Sequence, residues 1–319
     1  MSQGSDPRST HTDVTPAEGR ADADAASPRI LALINQKGGV GKTTTAVNVA
    51  AALQRSGKSV LLMDLDPQAH LSLHAGLDPE RIDRTLYDLL TDPQTVAAEA
   101  VYRLGDGLGL MPAETSLAGV ESELAEDTRD GKAQTLLRDR CRDVVGQFDY
   151  VLIDCPPSLG VLTVNALAMA TEVVVPMQAH FLALQGLGKL LETVSMIRAG
   201  LNPALRVAGV VLCMHDRQTL LAGEVRADLE QFLGEARGTD VPWADAVVFD
   251  PPVRRNVKLA EAPSFGQSIF AYDAACHGAN DYARLAASIE AWRPGAGQTS
   301  SDQPTPAGEV VPAAEPSQA

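Results

Sequence analysis

The stretch Ile30-Leu-Ala-Leu-Ile-Asn-Gln-Lys-Gly-Gly-Val-Gly-Lys-Thr-Thr44 decides the fold. Its first half is an apolar run without alternation, the pattern of a strand buried on both faces. Its second half sets Gly38, Gly39, Val40 and Gly41 ahead of Lys42, Thr43 and Thr44, which open a helical pattern running to Ser56. Glycines let the backbone curl so that several N–H groups converge on one concavity, and the helix N-terminus adds positive dipole. Such a cradle suits a polyphosphate. Lys42 is placed as a point charge for β- and γ-phosphate oxygens, and Thr43 carries the hydroxyl that can ligate Mg2+. The ordinary spacing GxxxxGK[ST] calls for glycine at position 36; here Gln36 stands there, and an additional lysine, Lys37, adjoins the glycines.

Working outward, two further apolar runs end in carboxylates. Val60-Leu-Leu-Met-Asp64-Leu-Asp66-Pro67-Gln68 carries two at i, i+2, which alternation puts on one side if the strand continues. The carboxyl edge of a parallel sheet is where α/β folds bind ligands. Asp64 is placed to support a Mg2+ shell, and Asp66 to orient a water for attack on a γ-phosphate. Phe148-Asp-Tyr-Val-Leu-Ile-Asp154-Cys-Pro-Pro157 ends in a third carboxylate, with two prolines fixing the exit of the chain. Cys155 reads as a small buried packing residue. His70 and His74 stand at i, i+4, a spacing that can present a metal face, but no HExxH context surrounds them and surface or interface packing is the favoured reading.

The remaining pattern alternates strands and helices. Strands are expected at 30–35, 59–64, 108–112, 150–154, 172–176, 207–214 and 244–249. Helices are expected at 42–56, 116–127, 132–146, 161–170, 185–199, 223–232 and 278–292. This alternation implies an α/β fold with a mostly parallel central sheet and helices on both faces. No internal repeat or linker interrupts 29–293, which reads as one domain. Residues 1–28 and 294–319 are rich in Ser, Thr, Asp, Ala, Gly and Pro, lack hydrophobic periodicity, and read as disordered tails.

Composition bounds the function. The 319 residues carry 26 Lys+Arg against 41 Asp+Glu, a net charge of −15. Contact with a polyanion therefore requires a local basic patch. Aromatic residues are only 4%, which argues against base stacking on an aromatic platform. Four separate cysteines with no CxxC pair exclude a zinc ribbon and point to a reducing compartment. There is no apolar leader and no apolar run of the ~20 residues a bilayer span needs. A cytoplasmic protein is expected.

The run Lys37-Gly-Gly-Val-Gly-Lys-Thr-Thr44 resembles the deviant Walker A box of the ParA/MinD superfamily. Asp64-Leu-Asp66-Pro-Gln resembles the switch I stretch of the ParA group, although Ala69-His70 stands where relatives show Gly-Asn. Asp154-Cys-Pro-Pro resembles the family's Walker B and switch II. Further likeness runs through 173–187, 210–219, 252–266 and the helix entered by Tyr272-Asp, so it covers about residues 29–292. The resemblance implies a P-loop ATPase that binds ATP and Mg2+. Lys37 would act in trans on the partner's phosphates across a nucleotide-sandwich homodimer, Asp66 would be the hydrolytic carboxylate, and Asp154 would hold Mg2+ through water. Adenine contacts would come from 251–257, with Pro252 and Asn256 as candidates. Arg217, Arg254, Arg255 and Lys258 would neutralise phosphates of DNA bound without sequence preference, in a nucleoid-associated protein. Here Gln218 takes the place where many relatives carry arginine.

The implied role is positioning or segregation of chromosome or plasmid cargo with a ParB-like centromere-binding protein. A protein cargo with another adaptor is the alternative. A MinD-like membrane switch would need a basic amphipathic C-terminal helix, and residues 294–319 contain no Lys or Arg. An iron–sulfur carrier on the same fold would need paired cysteines.

Overall fold

The computed structural model describes residues 27–124, 132–180, 183–216 and 219–295. Both expected tails fall almost wholly outside that range. So do Arg217, Gln218 and the last part of the helix expected over 116–127.

An eight-stranded sheet forms the centre. In chain order its strands are β1 (Arg29–Leu33), β2 (Val60–Asp64), β3 (Tyr102–Gly105), β4 (Leu108–Met111), β5 (Tyr150–Asp154), β6 (Glu172–Gln178), β7 (Arg206–Cys213) and β8 (Val247–Val248). Their spatial order is β3-β4-β2-β5-β1-β6-β7-β8, and every neighbouring pair is parallel except β3–β4. Every residue of β2 and of β5 is buried, as unalternating apolar runs require.

Alternation within each strand divides the core in two. Ile30, Ala32, Ile34, Met63 and Ile153 face one layer, built by α5 (Leu136–Val145), α6 (Val161–Met169), α7 (Ala183–Gly200) and α8 (Leu220–Glu235). Leu31, Leu33, Leu62 and Leu152 face the other, built by α1 (Lys42–Arg55) and α11 (His277–Ala291). The parallel register sets the active edge: Leu33, where the glycine loop departs, lies opposite Asp154, and Asp154 lies opposite Asp64.

The structure departs from the expected elements at the periphery. β3 was not anticipated: it is a four-residue antiparallel edge strand with a register shift and alternating half-burial, too short for a periodicity signal. The strand expected over 244–249 shortens to β8. The helix expected from 116 is a 3-10 turn, Thr115–Gly119, followed by α4 (Val120–Glu123). Four short helices were also missed: α2 (His70–His74), α3 (Leu86–Thr91), α9 (Val257–Glu261) and α10 (Ile269–Tyr272). α3 is held by a capping box between Thr85 and Asp88.

Candidate active site

The glycine loop leaves β1 at the carboxyl edge of the sheet and enters α1 through Gly41, whose φ of 98° is a left-handed conformation that L side chains resist. A Cβ there would also meet Cys213 Sγ at 3.2 Å. Asn35 organises the approach: its amide donates to the Pro176 carbonyl, and its Oδ1 accepts the Lys37 N–H. The Gln178 amide donates to the Gly39 carbonyl at 3.1 Å. Lys42 is buried and its ammonium donates to the Asn35 carbonyl at 3.2 Å, which folds the side chain back along the loop. Lys37 is exposed, and its side chain has no partner among the described residues.

Three carboxylates gather beside this loop. Thr43 Oγ1 donates to Asp154 Oδ2 at 2.6 Å. Asp154 Oδ1 is buried and meets no donor among the described residues. Burial, and then the charge of Asp64, pushes the Asp154 carboxyl up to about 8. Asp64 is fully buried, and its carboxyl is pushed up to about 7 by that burial, against the pull of hydrogen bonds from Ser72. Its Oδ2 accepts both the Ser72 N–H, at 2.9 Å, and the Ser72 hydroxyl, at 2.8 Å. Its Oδ1 accepts the Asp66 N–H at 3.2 Å. Asp66 is half-buried, and its Oδ1 accepts the Gln68 N–H.

Such a site fits a divalent cation. It offers a buried carboxylate oxygen without a donor, a hydroxyl beside it and an excess of negative charge. Among the described residues no three His, Cys, Asp or Glu side chains form a ready-made metal cage. That is the donor set of Mg2+, which takes one or two protein oxygens and completes its shell with water and phosphate.

Beyond Gly41 and Thr44 lies a cavity of about 410 Å³, walled by Cys213, Met214, Asn256 and Tyr282. Asn256 lines it but spends its Oδ1 on the Lys258 N–H as the N-cap of α9. Pro252 is buried and does not line it. A second cavity, of about 400 Å³, opens beside Lys37 and is lined also by His180 and Lys189.

The candidate DNA residues do not form a set. Arg255 is exposed, with no partner among the described residues. Lys258 pairs with Glu261 at 3.0 Å and lies over the Tyr272 ring. Arg254 is turned inward: its guanidinium grips Asp281, itself 2% exposed, at 2.6 and 2.9 Å. Arg217 lies outside the described residues.

One expectation is corrected by these positions. β2 stops at Asp64, so Asp66 reaches the site from a turn rather than by strand alternation. His70 and His74, read as packing residues rather than a metal face, differ in burial: His70 is exposed and His74 is buried, its Nε2 without a partner among the described residues. Sequence reasoning missed Ser72, Asn35 and Gln178. Ser72 and Gln178 lie outside the motifs whose residues they touch, Asp64 and Gly39, and only Asn35, at the end of the first strand, carried a positional hint.

Comparison with known proteins agrees with this geometry. Residues 28–207 match the profile of a family described as an AAA domain, AAA_31. The chromosome-partitioning ATPase Soj of Thermus thermophilus is 46% identical over 266 residues, covering 83% of this chain and 97% of that protein. The chromosome partitioning protein ParA of Caulobacter vibrioides is 43% identical over 263 residues, covering 82% and 93%. A crystal structure of cobyrinic acid a,c-diamide synthase from Mycobacterium smegmatis, with bound ATP analog and magnesium, superposes with a TM-score of 0.68. It is 34% identical, covering 82% of this chain and 94% of that one.

Proposed function

Because the chain belongs to the ParA/Soj family of chromosome-partitioning ATPases, we propose that it works as an ATP-switched dimer. In this reading the dimer grips DNA without regard to sequence and positions chromosomal or plasmid cargo with a ParB-like partner. The reaction is hydrolysis of ATP to ADP and phosphate. The observation that carries the reading is the meeting of Thr43 and Asp154 at 2.6 Å, beside Asp64 and Asp66, on the edge where Lys37 stands exposed.

The residues divide the work as follows. The N–H groups of 38–44 and the Lys42 ammonium hold the β- and γ-phosphates. Bound Mg2+ would offset phosphate charge, with Thr43 as ligand and Asp64 and Asp154 behind it. Asp66 orients the attacking water from the turn that follows β2. Lys37, exposed and with no side-chain hydrogen-bond or ion-pair partner among the described residues, reaches the phosphates of a second protomer and stabilises charge on the transferred phosphoryl, as an arginine finger does. The cavity beside Gly41 and Thr44 takes the adenine, with Asn256 on its wall. Hydrolysis is slow because the site is complete only when two protomers close, so the enzyme acts as a timer. Arg255 is the leading DNA contact and Lys258 its neighbour; the work is done at the nucleoid in the cytoplasm. Among the described residues no helix is long and apolar enough to cross a membrane.

The test is complementation. Lys37→Ala and Asp66→Ala proteins are each inactive alone. Mixed with ATP, their heterodimer holds one site with its own Asp66 and the partner protomer's intact lysine, and hydrolysis returns. Two inactive proteins that stay inactive when mixed would overturn the trans role.

A further inference from the structure

Two arms of the molecule meet at a pair of glycines. One arm starts at the carboxylates. Asp64 holds Ser72 by both its N–H and its hydroxyl, Ser72 sits within α2, and α2 ends at His74, two residues before Gly76. The same hydroxyl accepts the Ala113 N–H at 3.2 Å, so Ser72 is fixed from two sides. α2 is entered through Ala69, whose φ of 52° is left-handed, a strained conformation for a residue with a Cβ. The other arm carries Arg255 and Lys258 and runs through α9 and a 3-10 turn, Ala262–Phe265, to Gly266.

At the meeting point the backbones touch. A Cβ on Gly266 would lie 2.7 Å from Gly76 Cα, and a Cβ on Gly76 would lie 2.9 Å from the Gly266 carbonyl oxygen. Both have positive φ, 62° and 86°. His74, the buried last residue of α2 and two positions before Gly76, faces the backbone of Gln267, which acts on its imidazole. The second arm has another anchor, on α1. The Ile269 N–H donates to Asn48 Oδ1 at 2.7 Å, and the Asn48 amide donates to the Thr44 carbonyl at 2.8 Å. The 262–272 segment is thus seated on two supports. One belongs to the helix that carries the phosphate loop; the other hangs from the Asp64–Asp66 turn.

We propose that the Gly76–Gly266 contact is a joint that converts movement of the Asp64–Asp66 turn, relative to the phosphate loop, into displacement of the segment bearing Arg255 and Lys258. The joint extends the functional reading above by naming how nucleotide state reaches the DNA face. A segment with one support would follow that support wherever it went. A segment with two reports their relative position, and bare backbone against bare backbone leaves no side chain to absorb the motion. Gly76 and Gly266 are positioning residues in this account, because neither touches nucleotide or DNA.

The experiment is hydrogen exchange on the full chain in the Asp66→Ala background, with and without ATP, alongside Gly266→Ala and His74→Leu. Gly266→Ala forces the joint apart; His74→Leu removes the imidazole facing the Gln267 backbone while keeping an apolar filling, and serves if the first variant fails to fold. With the joint intact, ATP changes exchange both at the phosphate loop and at amides 264–272, by about threefold or more at the latter. In the joint variants the phosphate-loop change persists and the 264–272 change disappears. A 264–272 response that survives both variants, or is absent from the parent while the phosphate loop responds, overturns the joint. DNA affinity, measured in parallel, judges the functional reading separately. If 264–272 respond through the joint but no DNA binds, the joint stands and the DNA role falls.

Discussion

The hydroxyl of Thr43 donates to Asp154 Oδ2 at 2.6 Å, while Oδ1 of the same buried carboxylate meets no donor among the described residues. A half-satisfied buried carboxylate is costly in the free protein and is relieved when a cation joins it. Asp154→Asn should therefore separate stability from turnover. Without nucleotide the variant melts higher, by an amount equivalent to about 1 kcal/mol. Its Mg2+-dependent hydrolysis falls by about tenfold or more. Thermal melts and phosphate release check the two halves independently.

The neighbouring arginines Arg254 and Arg255 have opposite fates on replacement. Arg255→Ala leaves the melting temperature unchanged and weakens DNA binding, with a salt dependence shallower by about one phosphate contact. Arg254→Ala strands the buried Asp281 carboxylate and costs about 1–2 kcal/mol of stability, discounted because the guanidinium is partly solvent-screened. Denaturant unfolding and DNA titration at two or more salt concentrations distinguish the two.

His74 makes the fold acid-sensitive. Burial lowers its imidazole from the ordinary value of 6.5 to about 4, so it stays neutral in the folded protein while the unfolded chain takes up a proton. Its contribution is complete above 6.5 and is lost as pH falls toward 4, by up to about 3 kcal/mol. His74→Gln should flatten the slope of stability against pH across that window, whatever it does to stability at neutral pH. Urea midpoints at half-unit steps from pH 7 to 4 read the slope.

Ala69 occupies a left-handed conformation that glycine adopts without strain. Ala69→Gly should be neutral or stabilising by up to about 1 kcal/mol. If strain at this residue helps α2 shift, the same change alters the ATP-induced exchange at α2. Guanidinium denaturation gives the first quantity and hydrogen exchange the second.

The central sheet and the phosphate edge were legible in the sequence because their signals are local. β5 is a five-residue apolar run ending in Asp154, and its bounds came out as expected. Gly38 to Thr44 and the carboxylates Asp64, Asp66 and Asp154 likewise announce themselves by type and spacing. What stayed hidden is tertiary. Nothing in the residues around Ser72 says that its hydroxyl will clamp Asp64, eight positions earlier. Arg254 and Arg255 are indistinguishable as letters, yet one is gripped by Asp281 and the other stands in solvent, because α11 passes on one side only. The short helices α2, α9 and α10 lack the length to show a period, and their existence depends on the surfaces they close.

The decisive measurement is binding to a non-specific DNA duplex at low and moderate salt, with ATP, ADP or no nucleotide, comparing the parent protein with Asp66→Ala. Binding should require ATP, fall steeply with salt and strengthen in Asp66→Ala, where hydrolysis no longer ends the bound state. Binding indifferent to nucleotide, or absent in every state while ATP still closes the dimer, would contradict the proposed function.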